Sequence, residues 1–171
     1  DHAIASGHHS IAQGYFANAT DQYSIAHGFG ANATGISAIA IGSSASATGT
    51  SASAVGPGAT ATAQGAAAFG ATSNANGVSS VAIGVASNAT GLLATSIGAI
   101  SNATGNYSLA QGAFANATAD YSIGQGFRAN ATRESSIAIG NASTASNISS
   151  IAFGNNATAT AEYSIAQGYM A

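Results

Sequence analysis

The chain has no cysteine, no tryptophan and a single proline in 171 residues. Without cysteine, neither a disulfide framework nor a thiolate metal site can form. Charged residues make up only 4% of the chain, with two Lys and Arg against five Asp and Glu. Such a chain offers no basic surface, so nucleic acid is excluded as a partner. No apolar run approaches the ~18 residues of a membrane-spanning helix, and we expect no membrane contact by this segment.

What is present is a repeat. The same interval of 14 residues, without any insertion, separates twelve glycines: Gly14, Gly28, Gly42, Gly56, Gly70, Gly84, Gly98, Gly112, Gly126, Gly140, Gly154 and Gly168. A fixed short period is typical of repeat architectures. We expect residues 1–171 to form a single repeat domain, either as a segment of a longer fibre or as a repeat unit that stacks.

Within each repeat, two short runs alternate between large or polar and small residues. We number positions by their distance after the glycine. Positions +3 and +5 are small (Ala17, Ala19), +4 and +6 are polar, +10 and +12 are small, and +11 and +13 are mostly large (Ile137, Ile139). A period of two predicts strands rather than helix. The glycine at +14 and the frequent glycine at +7 (Gly35) predict two turns with positive φ.

Two strands and two turns per repeat predict an all-β parallel β-solenoid of twelve 14-residue coils. The size pattern favours a roll interior in which the large residues at +11 and +13 fill the space left by Ala at +3 and +5, although the same residues could instead face a shared axis between chains. So thin a core is weak for a lone chain. We therefore expect self-association, most simply as a homotrimer or by end-to-end stacking.

The coils are of two kinds. Where +9 is Tyr or His, +13 is Gln or His: His9 with Gln13, Tyr23 with His27, Tyr107 with Gln111, Tyr121 with Gln125, and Tyr163 with Gln167. In the other seven coils, +9 is Ser, Gly or Leu and +13 is apolar. The first interpretation is structural, because a buried Gln amide needs a partner that a Tyr hydroxyl or the next coil's Gln can supply. The alternative is an aromatic-rimmed binding strip.

Asparagine sequons recur on the face that is predicted to point outward. The glycosylation candidates are Asn18, Asn32, Asn88, Asn102, Asn116, Asn130 and Asn156. They predict either a glycosylated surface or a solvent-facing ladder of Asn and Thr hydrogen bonds.

No catalytic constellation stands out. Four acidic residues lie at the +7 or +8 corner (Asp21, Asp120, Glu134, Glu162), where solvated turn residues are expected. His2, His8, His9 and His27 cluster in the first coils, but a metal site needs three or four converging ligands. We expect neither an enzyme nor a bound metal or cofactor.

The sequence Ser80-Val81-Ala82-Ile83-Gly84, followed elsewhere by Ala-x-Ala-x-Gly at the same period, resembles the head repeats of trimeric autotransporter adhesins, the YadA-like head. Tyr163-Ser-Ile-Ala-Gln-Gly168 is similar to related repeats of phage tail fibres. The resemblance covers all twelve coils. It implies a left-handed parallel β-roll, three identical chains about one axis, and bacterial surface attachment. The 171 residues include no coiled-coil stalk with heptads. The resemblance therefore supports the fold more strongly than it supports autotransport.

We therefore predict a structural and adhesive module of a homotrimeric extracellular surface fibre. Its candidate partners are further copies of itself and a host or matrix protein or glycan, contacted through multivalent side-chain ladders. Two alternatives remain at this stage. One is an extracellular filament subunit that stacks end to end, and the more remote one is an ice-binding solenoid, for which the Thr row at +6 is compatible but incomplete.

Overall fold

The computed structural model describes residues 2–171, which form 24 short strands and no helix. Two compact units make up the chain, Asp1–Ala86 and Ser87–Ala171. Each unit contains six coils of a parallel β-solenoid, and each coil contributes one strand to each of two sheets. The prediction of an all-β parallel solenoid with two strands per coil is confirmed.

The first unit contains β1 to β12. The odd-numbered strands are β1 (Ile4–Ala5), β3 (Asn18–Ala19), β5 (Asn32–Ala33), β7 (Ser46–Ala47), β9 (Thr60–Ala61) and β11 (Asn74–Ala75). The even-numbered strands are β2 (Ile11–Gln13), β4 (Ile25–His27), β6 (Ile39–Ile41), β8 (Ser53–Val55), β10 (Ala67–Phe69) and β12 (Val81–Ile83).

The second unit repeats this plan with β13 to β24. Its odd-numbered strands are β13 (Asn88–Ala89), β15 (Asn102–Ala103), β17 (Asn116–Ala117), β19 (Asn130–Ala131), β21 (Thr144–Ala145) and β23 (Thr158–Ala159). Its even-numbered strands are β14 (Thr95–Ile97), β16 (Leu109–Gln111), β18 (Ile123–Gln125), β20 (Ile137–Ile139), β22 (Ile151–Phe153) and β24 (Ile165–Gln167). In each unit we call the odd-numbered strands the asparagine sheet and the even-numbered strands the isoleucine sheet.

Every strand pairs in parallel with the equivalent strand one coil away. In the isoleucine sheet, for example, Ile123 lies beside Ile137 and Gln125 beside Ile139. The ladder bonds have ordinary lengths, such as 2.9 Å from the Ile123 nitrogen to the Ser136 carbonyl oxygen. A shift of 14 residues therefore places like positions side by side along both sheets.

The interior between the two sheets holds only small side chains. Outside the terminal coils, alanines at +3, +5, +10 and +12 are buried, as Ala103 and Ala110 illustrate at 0% exposure. Serine is the largest side chain that is fully buried among residues 2–171. The interior is so narrow that the buried hydroxyls of Ser96, in β14, and Ser101, directly before β15, are 2.7 Å apart.

The expectation that the large residues fill the roll interior is wrong. Side chains at +11 are half-buried and most at +13 are exposed, including Phe69 at 41% and Phe153 at 51%. Closely packed interiors do not accommodate added volume without displacing the backbone. Because the space between the sheets is only as wide as two small side chains, the large residues point to the outside of the isoleucine sheet.

Most of the buried serines donate to backbone carbonyls at the turns, whereas the buried Ser80 hydroxyl has no hydrogen-bond partner among residues 2–171. The Ser108 hydroxyl donates to the Gly105 carbonyl oxygen at 2.6 Å, and Ser122 makes the equivalent bond to Ala119. Serines at +3 act likewise at the other turn, as Ser101 does with Gly98 at 2.9 Å. A buried carbonyl without a partner is costly, so serine at +3 or +10 contributes to the turn as well as filling the interior.

Backbone conformation is the same in every coil. The glycine that closes each coil has φ between 128° and 135°, which confirms its predicted positive φ. The +7 glycines do not have positive φ, so that part of the expectation is wrong. In the coils that carry them, close approach to the next coil is what leaves no space for a side chain, since a Cβ on Gly105 would collide with the Ala119 carbonyl. The left-handed positions are +2 and +9, where φ lies between 52° and 67° and most residues are not glycine.

Replacing the coil-closing glycine is expected to destabilise the fold strongly. A Cβ on Gly98 would lie 2.6 Å from the Gly112 carbonyl oxygen, at a φ of 134° that side chains rarely adopt. We expect Gly98→Ala to lower the free energy of unfolding by about 3 kcal/mol or more, measured by chemical denaturation.

Gly30→Ala is the matched control. Gly30 has a φ of 62°, and an added Cβ would lie 3.8 Å from the nearest atom, the Ser44 hydroxyl oxygen. Its cost should be about 1 kcal/mol. Equal losses for the two variants would contradict the proposed steric cause.

Candidate functional site

The outer surface of the isoleucine sheet is an apolar face that no element within residues 2–171 covers. We call the side chains at +11 and +13 on this sheet the isoleucine face. In the second unit its apolar members are Ile97, Leu109, Ile123, Ile137, Ile139, Ile151, Phe153 and Ile165. Contiguous exposed apolar surface of this kind marks an interaction site in soluble proteins.

Polar residues interrupt the isoleucine face at defined coils. Gln111 and Gln125 lie side by side in adjacent strands. In the first unit, His27 Nδ1 and Gln13 Oε1 are 3.1 Å apart. All four side chains are exposed. The expectation that the glutamine amides are buried within the coil is therefore wrong, because the +13 position points outward.

The tyrosines at +9 lie at the edge of the isoleucine sheet and stack on one another rather than bonding to glutamine. Tyr107 and Tyr121 are 5.3 Å apart between ring centroids and nearly parallel, at 4°. His9 and Tyr23 form an equivalent stack at 5.4 Å. Tyr107 is 47% exposed and Tyr163 is 73% exposed. Across residues 2–171, no hydrogen bond joins a tyrosine hydroxyl to a glutamine side chain, so the structure does not bring the predicted pairs together within one chain.

A second aromatic group lies at the other corner, just after the coil-closing glycines. Tyr15 and Phe29 stack at 5.7 Å in the first unit. In the second unit the rings of Phe114 and Phe127 meet edge to face at 5.9 Å. The guanidinium carbon of Arg128 lies 5.1 Å from the centre of the Phe127 ring, within the range of a cation–π contact. Arg128 carries no sequence signal that singles it out as a member of this group.

The outer surface of the asparagine sheet is a row of half-buried polar side chains. The Asn88 amide nitrogen donates to the Asn102 side-chain oxygen at 2.8 Å. Asn18 and Asn32 make the same contact at 3.1 Å. Asn116 and Asn130 occupy the same row, whereas Asn156 lies at a +2 corner and is exposed. Parts of the expected asparagine ladder are therefore present, as side-chain hydrogen bonds between adjacent coils.

The charged and histidine residues occupy corners. Asp120 accepts a hydrogen bond from the Asn106 backbone nitrogen at 2.8 Å, and Asp21 accepts one from Gln22 at 2.7 Å. The His8 and His9 rings contact each other at 4.1 Å between centroids. In the part of the chain that the structure describes, no three His, Asp or Glu side chains converge as metal ligands, and the surface has no pocket. The described residues also provide no candidate transmembrane helix.

Comparison with known proteins bears on this repeat directly. The family model described as the YadA head domain repeat (2 copies) matches residues 5–31, 33–59, 47–73, 61–87, 75–99, 89–115, 103–123, 117–143 and 145–169. No curated protein sequence matched the chain.

Among solved structures, the chain is similar to the collagen-binding domain of the Yersinia adhesin YadA. The identity is 23% and the TM-score is 0.41, over 80% of this chain and 68% of that one. Because the family model covers nearly all the coils one after another, the chain belongs to the family of YadA head domain repeats.

Proposed function

We propose that this chain is an adhesive module of a homotrimeric extracellular surface fibre. The observation that carries the proposal is the direction of the large side chains. They point out of the roll and leave an apolar face exposed along the isoleucine sheet of each unit. Membership of the YadA head repeats supports the adhesive role.

Self-association through the isoleucine face follows from its composition. Burial of apolar side chains contributes about 25 cal/mol per Å² of surface removed from water. The asparagine sheet offers no equivalent, because apart from Ile4 its outer side chains are Asn, Ser and Thr, several of them already hydrogen-bonded along the row. Three copies that place their isoleucine faces against one another about a common axis would form a predominantly apolar interface.

Association through the isoleucine face leaves the asparagine face and the aromatic corner open for attachment. Both present the same group at each coil in turn, which suits many weak contacts acting together. The chain has too few charges for electrostatic steering to dominate binding. We therefore propose attachment to a host or matrix protein or glycan by hydrogen bonds and aromatic contacts, at the bacterial cell surface.

Attachment can be tested with trimer-coated beads on immobilised matrix proteins, including collagen, and on cultured cells. We expect the number of retained beads to change little between 50 and 500 mM salt, because the chain has few charges that salt can screen. Retention equal to that of uncoated beads on every surface would refute the adhesive role, even if the trimer is present.

The assembly predicts opposite outcomes for charge on the two faces. Ile139→Glu places an unpaired carboxylate in the proposed interface of each copy, and we expect the dissociation constant of the trimer to rise about 100-fold or more. Asn130→Glu, on the outer row of the asparagine sheet, should leave it unchanged. Sedimentation equilibrium measures both. A monomeric wild-type chain, or a larger effect of Asn130→Glu, would contradict the proposed interface.

Glycosylation of the asparagine rows remains a proposal, and the ladder limits it. Neighbouring positions such as Asn88 and Asn102 belong to adjacent strands, which lie ~4.8 Å apart. Branched glycans cannot be accommodated on every coil at that spacing. Glycopeptide mapping of protein from a glycosylating host should show glycan on the exposed Asn156. It should show incomplete glycan occupancy of the row positions Asn88, Asn102, Asn116 and Asn130. Full occupancy of all four row positions would contradict this expectation.

A further inference from the structure

The chain obeys a rule that its own contacts do not explain. A tyrosine or histidine at +9 always accompanies a glutamine or histidine at +13, and a small or apolar residue at +9 always accompanies an apolar residue at +13. Within one chain, Tyr107 and Gln111 are both exposed, and the Tyr107 ring stacks on Tyr121. A contact inside the coil is therefore not the reason for the rule.

The two positions lie at opposite edges of the isoleucine face. Position +9 sits in the left-handed turn before each strand of the isoleucine sheet, with Tyr107 at a φ of 58°. Position +13 is the last residue of the same strand, as Gln111 is of β16. Four residues of fully extended chain span roughly 13 Å, which is the upper limit on the separation of the two positions. The face therefore has a +9 edge and a +13 edge.

Rotational symmetry brings these two edges together between copies. When parallel copies are related by rotation about an axis along the direction in which coils stack, each contact is formed by two different edges of the same face. The +9 edge of one copy then meets the +13 edge of its neighbour at the same coil. This step rests on the proposed self-association through the isoleucine face.

The chemistry of the two rows is complementary in this arrangement. A tyrosine hydroxyl can donate to, or accept from, a glutamine amide. Phe69 and Phe153, the bulkiest +13 residues, belong to coils whose +9 residues are the small Gly65 and Ser149. Only another copy of the chain presents polar and bulky groups in the matching order. We propose that the +9 side chain of each copy contacts the +13 side chain of the neighbouring copy, and that these pairs fix the axial register of the assembly.

Without such pairs, one copy could shift along its neighbour by one coil and lose little apolar contact, because the coils are nearly identical. In the second unit, a slip of one coil opposes Leu93 to Gln111 and Tyr121 to Ile139. Each of these juxtapositions leaves a polar group without its partner inside an apolar interface, which is costly. Isolated polar residues specify register in coiled coils by the same means.

Photo-crosslinking can locate the partner directly. Tyr107 is replaced by p-benzoylphenylalanine, which keeps an aromatic ring at the position, and the assembled chain is irradiated. We expect a crosslinked dimer whose adduct maps by mass spectrometry to residues 109–112 of the second copy. An adduct centred on 123–126, one coil away, or on the asparagine sheet would overturn the proposal.

A variant cycle then tests whether the pair acts between chains. Tyr107→Ser and Gln111→Ile are made singly and together, since the double variant reproduces the Ser135–Ile139 type of coil. We expect each single change to lower the melting temperature of the assembly by several degrees, and the double change to recover most of the loss. Tyr107→Ser combined with Gln125→Ile is the matched control and should show no recovery.

The same cycle is repeated below the dissociation concentration, where the chain is monomeric. Recovery should vanish there, whereas recovery that persists in the monomer would place the pair inside one chain and overturn the inference. Native mass spectrometry of the wild type separates this result from the proposed function. A monomer at all concentrations would contradict the trimer itself, while a trimer with purely additive variants would contradict only the register pairs.

Discussion

The closeness of the two sheets is the constraint on which the rest of the structure depends. The hydroxyls of Ser96 and Ser101 meet across the interior, and no side chain larger than serine is fully buried among residues 2–171. An interior of alanine and serine contributes little hydrophobic stabilisation per residue, because the buried apolar area of each side chain is small. The backbone ladders and the serine hydroxyl bonds at the turns carry a larger part of the organisation than in an ordinary core.

The same constraint accounts for the surface. Isoleucine, valine and phenylalanine cannot enter the roll, so they remain on the outside of the isoleucine sheet. A solvent-exposed row of such residues would be a liability in a monomer, and burial of apolar area on association offsets it. The thin interior and the proposed assembly are thus two consequences of one geometry. Small residues inside permit tight coils, and large residues outside would form the proposed interface.

The turn conformations show how a short repeat tolerates varied residues. Positions +2 and +9 adopt left-handed φ in every coil, with residues as different as Ile100, Tyr107 and Arg128. Side chains in this conformation project from the corners, where several aromatic rings stack on the next coil. The coil-closing glycine is different in kind, since its φ near 130° and the backbone of the next coil exclude any side chain. Residue type therefore varies most at the corners, whereas the coil-closing position is glycine in every coil.

The sequence by itself determined the period of 14, the two strands per coil, the positive φ of the closing glycine, and membership of the YadA-like head repeats, because periodicity and steric requirements are local properties. It did not determine which side of the alternation faces inward. Alternation separates two faces without naming the inner one, and preference for burying Ile139 gave the wrong answer. Only the tertiary structure decided it, since the distance between the sheets depends on the path of the whole coil. Because the sheets are so close, Gln111 and Tyr107 do not form the predicted buried pair. They lie at the exposed edges of the isoleucine face.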